Sequence, residues 1–138
     1  MKLIISSMFI ALVGVLFSSE ASAQNIQTST IEWNSISTFE AQSGTISDEA
    51  TKVVSSAEQI IWYDKNGIAQ KTFSITTATG TWPNVSSNGS IIYNVSYGDN
   101  SGVAHFSKLD HLTKIRLHLI TEEGSPIYEL VVTTITEL

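Results

Sequence analysis

The chain has no cysteine. No disulfide can brace it, and no thiol is present to act as a nucleophile. An oxidising compartment is therefore permitted but not exploited. Charge is also scarce. Asp, Glu, Lys and Arg together make up 14% of the residues, and the net charge is −6. A chain with few cations and an acidic balance is a poor partner for nucleic acid or for an anionic lipid surface. Beyond the first residues, no apolar run is long enough to span a bilayer, and no segment keeps a 3.6-residue apolar period. A long helix is not expected. There is no Gly-x-Ser-x-Gly elbow, no phosphate-binding loop and no dinucleotide fingerprint. Internal repeats, low-complexity tails and interdomain linkers are absent as well.

What is present begins with an export pattern. Lys2 precedes an almost wholly apolar run from Leu3 to Phe17, and Ala21-Ser22-Ala23 then offers small residues at a cleavage site. Residues 1–23 read as a cleavable secretory signal, with a mature chain starting at Gln24 that is secreted or periplasmic. The run is shorter than the roughly 20 residues of a spanning helix, which argues against an uncleaved anchor. No Cys follows it to carry a lipid. Residues 24–138 are expected to form one domain, large enough for a single core.

The composition of that domain is strand composition: Ser and Thr are abundant, and the apolar residues are mostly β-branched or aromatic. Turn signals divide it at short intervals. Asp64-Lys65-Asn66-Gly67 separates Gln59–Tyr63 from Ile68–Thr77. Trp82-Pro83 and the polar residues Asn84 to Gly89 precede Ile91–Tyr97. Gly98 to Ser101 leads to Gly102–Leu109, Asp110-His111 to Leu112–Thr121, and Glu122 to Ser125 to Pro126–Thr134. Upstream, Ile26–Phe39 alternates around Ile31, Trp33 and Phe39, and Thr51–Ser55 reads as a short strand.

The expectation is an all-β antiparallel meander of seven or eight strands, closed as a small up-and-down barrel or strongly curved as a sheet. A two-sheet sandwich is the alternative, disfavoured because sandwiches need longer crossing connections.

Turn lengths set registers. Loops of four, two and four residues at 98–101, 110–111 and 122–125 place Tyr93, Val95, Ala104, Phe106, Ile115, Leu117, Leu119, Tyr128, Leu130 and Val132 on one face. A one-residue slip would scatter them. In the strand Ile60 to Tyr63, apolar side chains fall on both faces and either parity is open.

Gly80-Thr81-Trp82 resembles the Gly-x-Trp of lipocalins. That family carries the motif on its first strand; here it lies mid-chain, after the fourth, and the likeness covers three residues.

Chemistry-bearing residues are few. The same registers place His105 opposite Arg116, and His118 opposite Glu129, on the face away from the apolar set. Such a cluster suits an anion or carbohydrate contact, with Arg116 as a two-point anchor. It also suits a His118–Glu129 acid–base pair in a hydrolase-type enzyme. An ordinary solvated face with cross-strand charge pairing explains it without any ligand, and is the favoured reading. Two His and one Glu fall short of a closed zinc site, so no metal and no cofactor is expected. Asp64-x-Asn66-Gly67 resembles part of a calcium loop but lacks the downstream Glu, and it reads as a β-turn. Asn84, Asn88 and Asn94 each begin an Asn-x-Ser acceptor, which an Asn- and Ser-rich chain supplies by chance.

On the inner face Tyr93, Tyr97, Phe106 and Tyr128 form a core or, if the barrel has a gap, line a pocket. The sequence thus favours a non-enzymatic binding domain for a small apolar or amphipathic ligand or an envelope protein. An interaction module acting through a strand edge or an apolar patch near Trp62 is the alternative.

Overall fold

The computed structural model describes residues 25–138. The secretory segment read over residues 1–23 lies outside them. Among the described residues there is no helix long and apolar enough to cross a membrane.

The strands are β1 (Ile31–Glu40), β2 (Thr45–Ser47), β3 (Thr51–Ser55), β4 (Gln59–Tyr63), β5 (Ala69–Thr81), β6 (Gly89–Tyr97), β7 (Asn100–Leu109), β8 (Leu112–Ile120) and β9 (Ile127–Glu137). All neighbours pair antiparallel in the order β2-β1-β3-β4-β5-β6-β7-β8-β9, and β1 also pairs with β9. That last pairing closes the sheet. β2 and β3 lie end to end along one edge of β1, against its two halves, so they act as one interrupted strand and the wall is an eight-stranded barrel. The meander expectation holds, and the sandwich does not. Each connection joins strands adjacent in the wall, so nothing ever crosses to a second sheet.

Two of the expected turns are shorter than their composition suggested. Tyr97 pairs with Asn100 and Val95 with Gly102, so the turn is Gly98-Asp99 and the polar pair Asn100-Ser101 belongs to β7. A two-residue turn with a positive φ at its first position, 56° at Gly98, matches the twist of the strands it joins. Likewise Thr121 bridges Gly124 around Glu122-Glu123. Leu117 then meets Tyr128 and Ile115 meets Leu130. The turn at Asp110-His111 is as expected: Leu109 pairs with Leu112 and Phe106 with Ile115, and Asp110 takes the left-handed conformation that Asp tolerates.

Both errors are of two residues. Side chains alternate with period two, so every residue keeps its face. One upstream bound moves and one open parity is settled. β1 starts at Ile31, because residues 25–30 turn back on themselves through Thr28 N–H and Ser29 N–H to the Asn25 carbonyl. The parity of β4 is resolved with Ile60 and Trp62 inward.

The interior is filled. Trp33 packs against Trp82 and Phe106 with ring centroids 5.5 and 5.2 Å apart, and Tyr93 meets Phe106 edge-on at 5.4 Å. Ile31, Val53, Ile60, Phe73, Ile91, Ala104, Ile115, Leu117 and Leu130 complete the packing. Trp33 Nε1–H donates to Ser55 Oγ at 2.8 Å, which satisfies the most deeply placed indole.

Alternate turns fall at opposite ends of an antiparallel meander, so the barrel has two distinct mouths. One is plugged by Ile26 and by Trp82, whose Nε1–H donates to the Ser87 carbonyl at 2.9 Å. The Trp of the Gly-x-Trp triplet is thus a buried plug, seated where β5 leaves the wall. The other mouth is open.

Candidate functional site

The outer cluster predicted from the registers is assembled, with one pairing corrected. His105, Arg116 and Glu129 stand opposite one another across β7, β8 and β9. His118 pairs with Val103 and Ile127, not with Glu129. The two-residue shift at the Glu122-Glu123 turn moved Glu129 from His118 to Arg116. The Glu129 carboxylate accepts an ion pair from Lys114 Nζ at 2.9 Å, a partner the sequence reading missed although Lys114 shares the outward parity. None of these side chains lines the clefts beside Trp62, Trp82 or Asp99. An acid–base pair of His118 and Glu129 in a cleft is therefore not what this face presents. His111 is exposed in its turn.

The inner aromatic set divides. Tyr93 and Phe106 are fully buried core. Tyr97 is half-buried against Phe73 at 5.5 Å, with Lys71 Nζ over its ring at 4.9 Å. Tyr128 alone reaches a cavity.

The Tyr93 hydroxyl is buried and has no hydrogen-bond partner among the described residues, and burial pushes its pKa up to about 12. Tyr93→Phe should therefore raise stability by about 1 kcal/mol, because it removes a polar atom buried without compensation. The pH dependence follows from linkage. The folded chain holds the phenol proton more tightly than the unfolded chain, whose tyrosine titrates near 10. The wild type thus loses stability as pH rises from about 10 towards 12, and Tyr93→Phe removes that component. Urea unfolding at pH 7 and pH 11 checks both. A variant less stable than wild type at pH 7 contradicts the expectation.

The open mouth holds the most developed site. Its shape comes from an interruption. β1 bulges between Ser35 and Thr38, a distortion held by Ser35 Oγ–H donating to the Ser37 carbonyl at 2.7 Å. Opposite the bulge, residues 48–50 leave the ladder and split β2 from β3. The gap opens a cleft of about 230 Å³ that includes Thr38, Glu40, Glu49, Thr51, Trp62, Asp64, Lys65 and Tyr128 in its walls.

Trp62 and Tyr128 form the base, edge to face at 5.2 Å. Trp62 is 7% exposed, so it is not itself the centre of an outward apolar patch; what shows of it lies in the cleft. Trp62 Nε1–H donates to Thr51 Oγ1 at 2.6 Å, and Thr51 Oγ1–H donates to the Tyr63 carbonyl at 2.6 Å. This chain of bonds fixes the ring.

Carboxylates rim the cleft. Glu40 accepts from the hydroxyl of Ser43 and from the Ser43 and Gln42 backbone N–H groups. Those bonds, the Ser43 hydroxyl first, hold its pKa below the usual carboxylate value. Lys65 Nζ bridges to Glu49 at 2.7 Å across the mouth, and Glu49 raises the Lys65 pKa. Asp64 Oδ1 accepts from the N–H groups of Asn66 and Ile68, both at 2.9 Å. That carboxylate organises its own turn, as the β-turn reading of Asp64 to Gly67 expects.

The same end gathers Asp99, Glu122 and Glu123 in its turns and Asp48 in the break between β2 and β3, so carboxylates outnumber the ammonium groups of Lys65 and Lys71 there. Sequence reasoning missed this mouth. Glu40, Glu49 and Lys65 match no motif; the pairing of β2 and β3 along β1 and of β4 on β3 brings them together, and closure through β9 adds Tyr128. Comparison with known family models, curated proteins and solved structures finds no match for this chain.

Proposed function

We propose that the chain is exported and that its barrel is a non-enzymatic binding domain for a small amphipathic ligand carrying a positive charge. The observation that carries this reading is the aromatic base of the open cleft, Trp62 against Tyr128, beneath a rim of carboxylates. An apolar body lies on the ring edges, where desolvation is favourable. An ammonium group reaches Glu40 or displaces Lys65 from Glu49. The hydroxyls of Thr38 and Thr51 offer further polar contacts. The filled interior leaves the mouth as the place for a ligand, in contrast to a calyx that encloses one.

2-Phenylethylammonium and phenylacetate test this. They share a ring and a size but differ in charge. Near tenfold Kd the ammonium should stabilise the fold by about 1.4 kcal/mol, a rise of a few degrees in Tm. Phenylacetate should not. Glu40→Gln combined with Glu49→Gln should abolish the difference. An equal response to both probes, or none to either at tens of millimolar, defeats the reading.

A further inference from the structure

β5 and β6 differ from the rest of the wall. From Thr72 to Gly98 the chain has no Asp, Glu, Lys, Arg or His, in a protein of net charge −6. The outward residues there are Thr77, Thr79 and Thr81 on β5 and Ser90, Ile92 and Asn94 on β6, paired in register.

The second half of β5 also has an open edge. Its ladder to β4 ends at Ser74 with Gln59. The Ile75 N–H then donates to the Glu58 carbonyl, and past that point β5 pairs only with β6 among the described residues. The Gly80 carbonyl on this edge accepts from Gln27 Nε2 at 3.1 Å. Alternation turns the N–H and C=O of Ala78 to the same side, with no strand among the described residues to meet them. Natural edges of this kind are usually blunted by lysine, proline or a charge turned outward. Between Thr72 and Thr81 this one has no lysine, proline or charge; its one irregularity is the bulge at Thr76, past which Thr77 to Thr81 run in register with β6.

We propose that this edge pairs with its own counterpart in a second copy of the chain, antiparallel about a two-fold axis at Ala78. Antiparallel pairing of one edge with itself is self-complementary, as a two-fold dimer requires. Ala78 exchanges both backbone hydrogen bonds with its mate, and Thr77 stands opposite Thr79 of the other copy. The neutral face accounts for the choice of partner. Two chains of charge −6 repel over most of their surfaces, and here they meet without juxtaposing like charges. The open cleft lies at the other end of the barrel, so the dimer leaves it accessible.

The mature chain should sediment as a concentration-dependent dimer. Two doubly substituted chains then locate the contact. Thr77→Glu with Thr79→Glu sets carboxylate against carboxylate across the axis, and Thr77→Lys with Thr79→Lys sets ammonium against ammonium. Each alone should be monomeric with an unchanged circular dichroism spectrum, and their dimerisation should weaken at least tenfold. An equimolar mixture of the two should recover the dimer. That recovery also answers a folding defect, since misfolded chains do not rescue one another by charge. A wild type that stays monomeric at several hundred micromolar overturns the proposal. So does a dimer that both double variants leave intact, or a mixture that stays monomeric.

Discussion

Trp33→Ala should be the most damaging of simple core substitutions, lowering stability by about 3–5 kcal/mol. The indole lies at the centre of the barrel, between Trp82 and Phe106, and nothing nearby can collapse into the space. Its wall is a closed ladder, which cannot contract without breaking strand pairing. The substitution also strands the Ser55 hydroxyl, buried and bonded to the indole at 2.8 Å. A small domain has about 5–15 kcal/mol in total, so the variant should be partly unfolded at 37 °C.

Trp33→Phe separates the two contributions. It keeps much of the volume but loses the hydrogen bond, for about 1–3 kcal/mol. Adding Ser55→Ala to Trp33→Phe should recover part of that loss, because neither polar partner then remains. Urea midpoints with an unchanged m-value measure all three. A loss below about 1.5 kcal/mol for Trp33→Ala would show that the barrel interior is far more plastic than its packing implies.

Gly89→Ala should lower stability by about 1–3 kcal/mol through overpacking alone. A Cβ at Gly89 would sit 2.5 Å from Trp82 Cδ1, 2.6 Å from Cγ and 2.9 Å from Cβ. These atoms are at the root of the side chain, so no rotation of the distal ring relieves the clash. Moving the indole breaks its bond to the Ser87 carbonyl and its contact with Trp33. Gly89 is not held in the left-handed region, so backbone strain contributes little and the effect is steric. The check is a cycle with Trp82→Ala. Gly89→Ala should cost markedly less once the indole is gone, the 2.9 Å contact to the Cβ that an alanine keeps being what remains, and the near-ultraviolet circular dichroism of the single variant should show a displaced tryptophan. Equal losses in both backgrounds would place the cause elsewhere than at the plug.

Apart from the three-residue β2, whose exposed Thr45–Ser47 carries no buried alternation to mark it, the strands and their order were legible in the linear chain. Alternation of apolar residues marked the inner face, and turn-forming residues marked each reversal; both are local signals. The inner set of Tyr93, Val95, Ala104, Phe106, Ile115, Leu117, Leu119, Tyr128, Leu130 and Val132 survived two misjudged turn lengths, because each error was even. What an even error does change is the cross-strand partner. Glu129 therefore faces Arg116 and bonds Lys114 where His118 was expected. Composition alone could not show that Asn100 and Ser101 are strand residues, since Asn and Ser serve turns and ladders alike.

The sequence by itself determined the fold class, the meander and which side chains of β6 to β9 face inward, because period-two alternation and short connections are properties of neighbouring residues. Only the tertiary structure decided that the sheet closes through β1 and β9, that Ile26 and Trp82 plug one mouth, and that Trp62 turns inward to floor the other. Closure joins the first strand to the last, and the plug brings residues 26 and 82 to one mouth, so neither is a property of neighbouring residues. Trp62 takes its parity from pairing with Val53 and Lys71, and closure adds Tyr128 to a cleft whose other walls come from β1 to β5. Glu40, Glu49, Trp62, Lys65 and Tyr128 share no motif, and the bulge in β1 with the break between β2 and β3 is what leaves a gap between them.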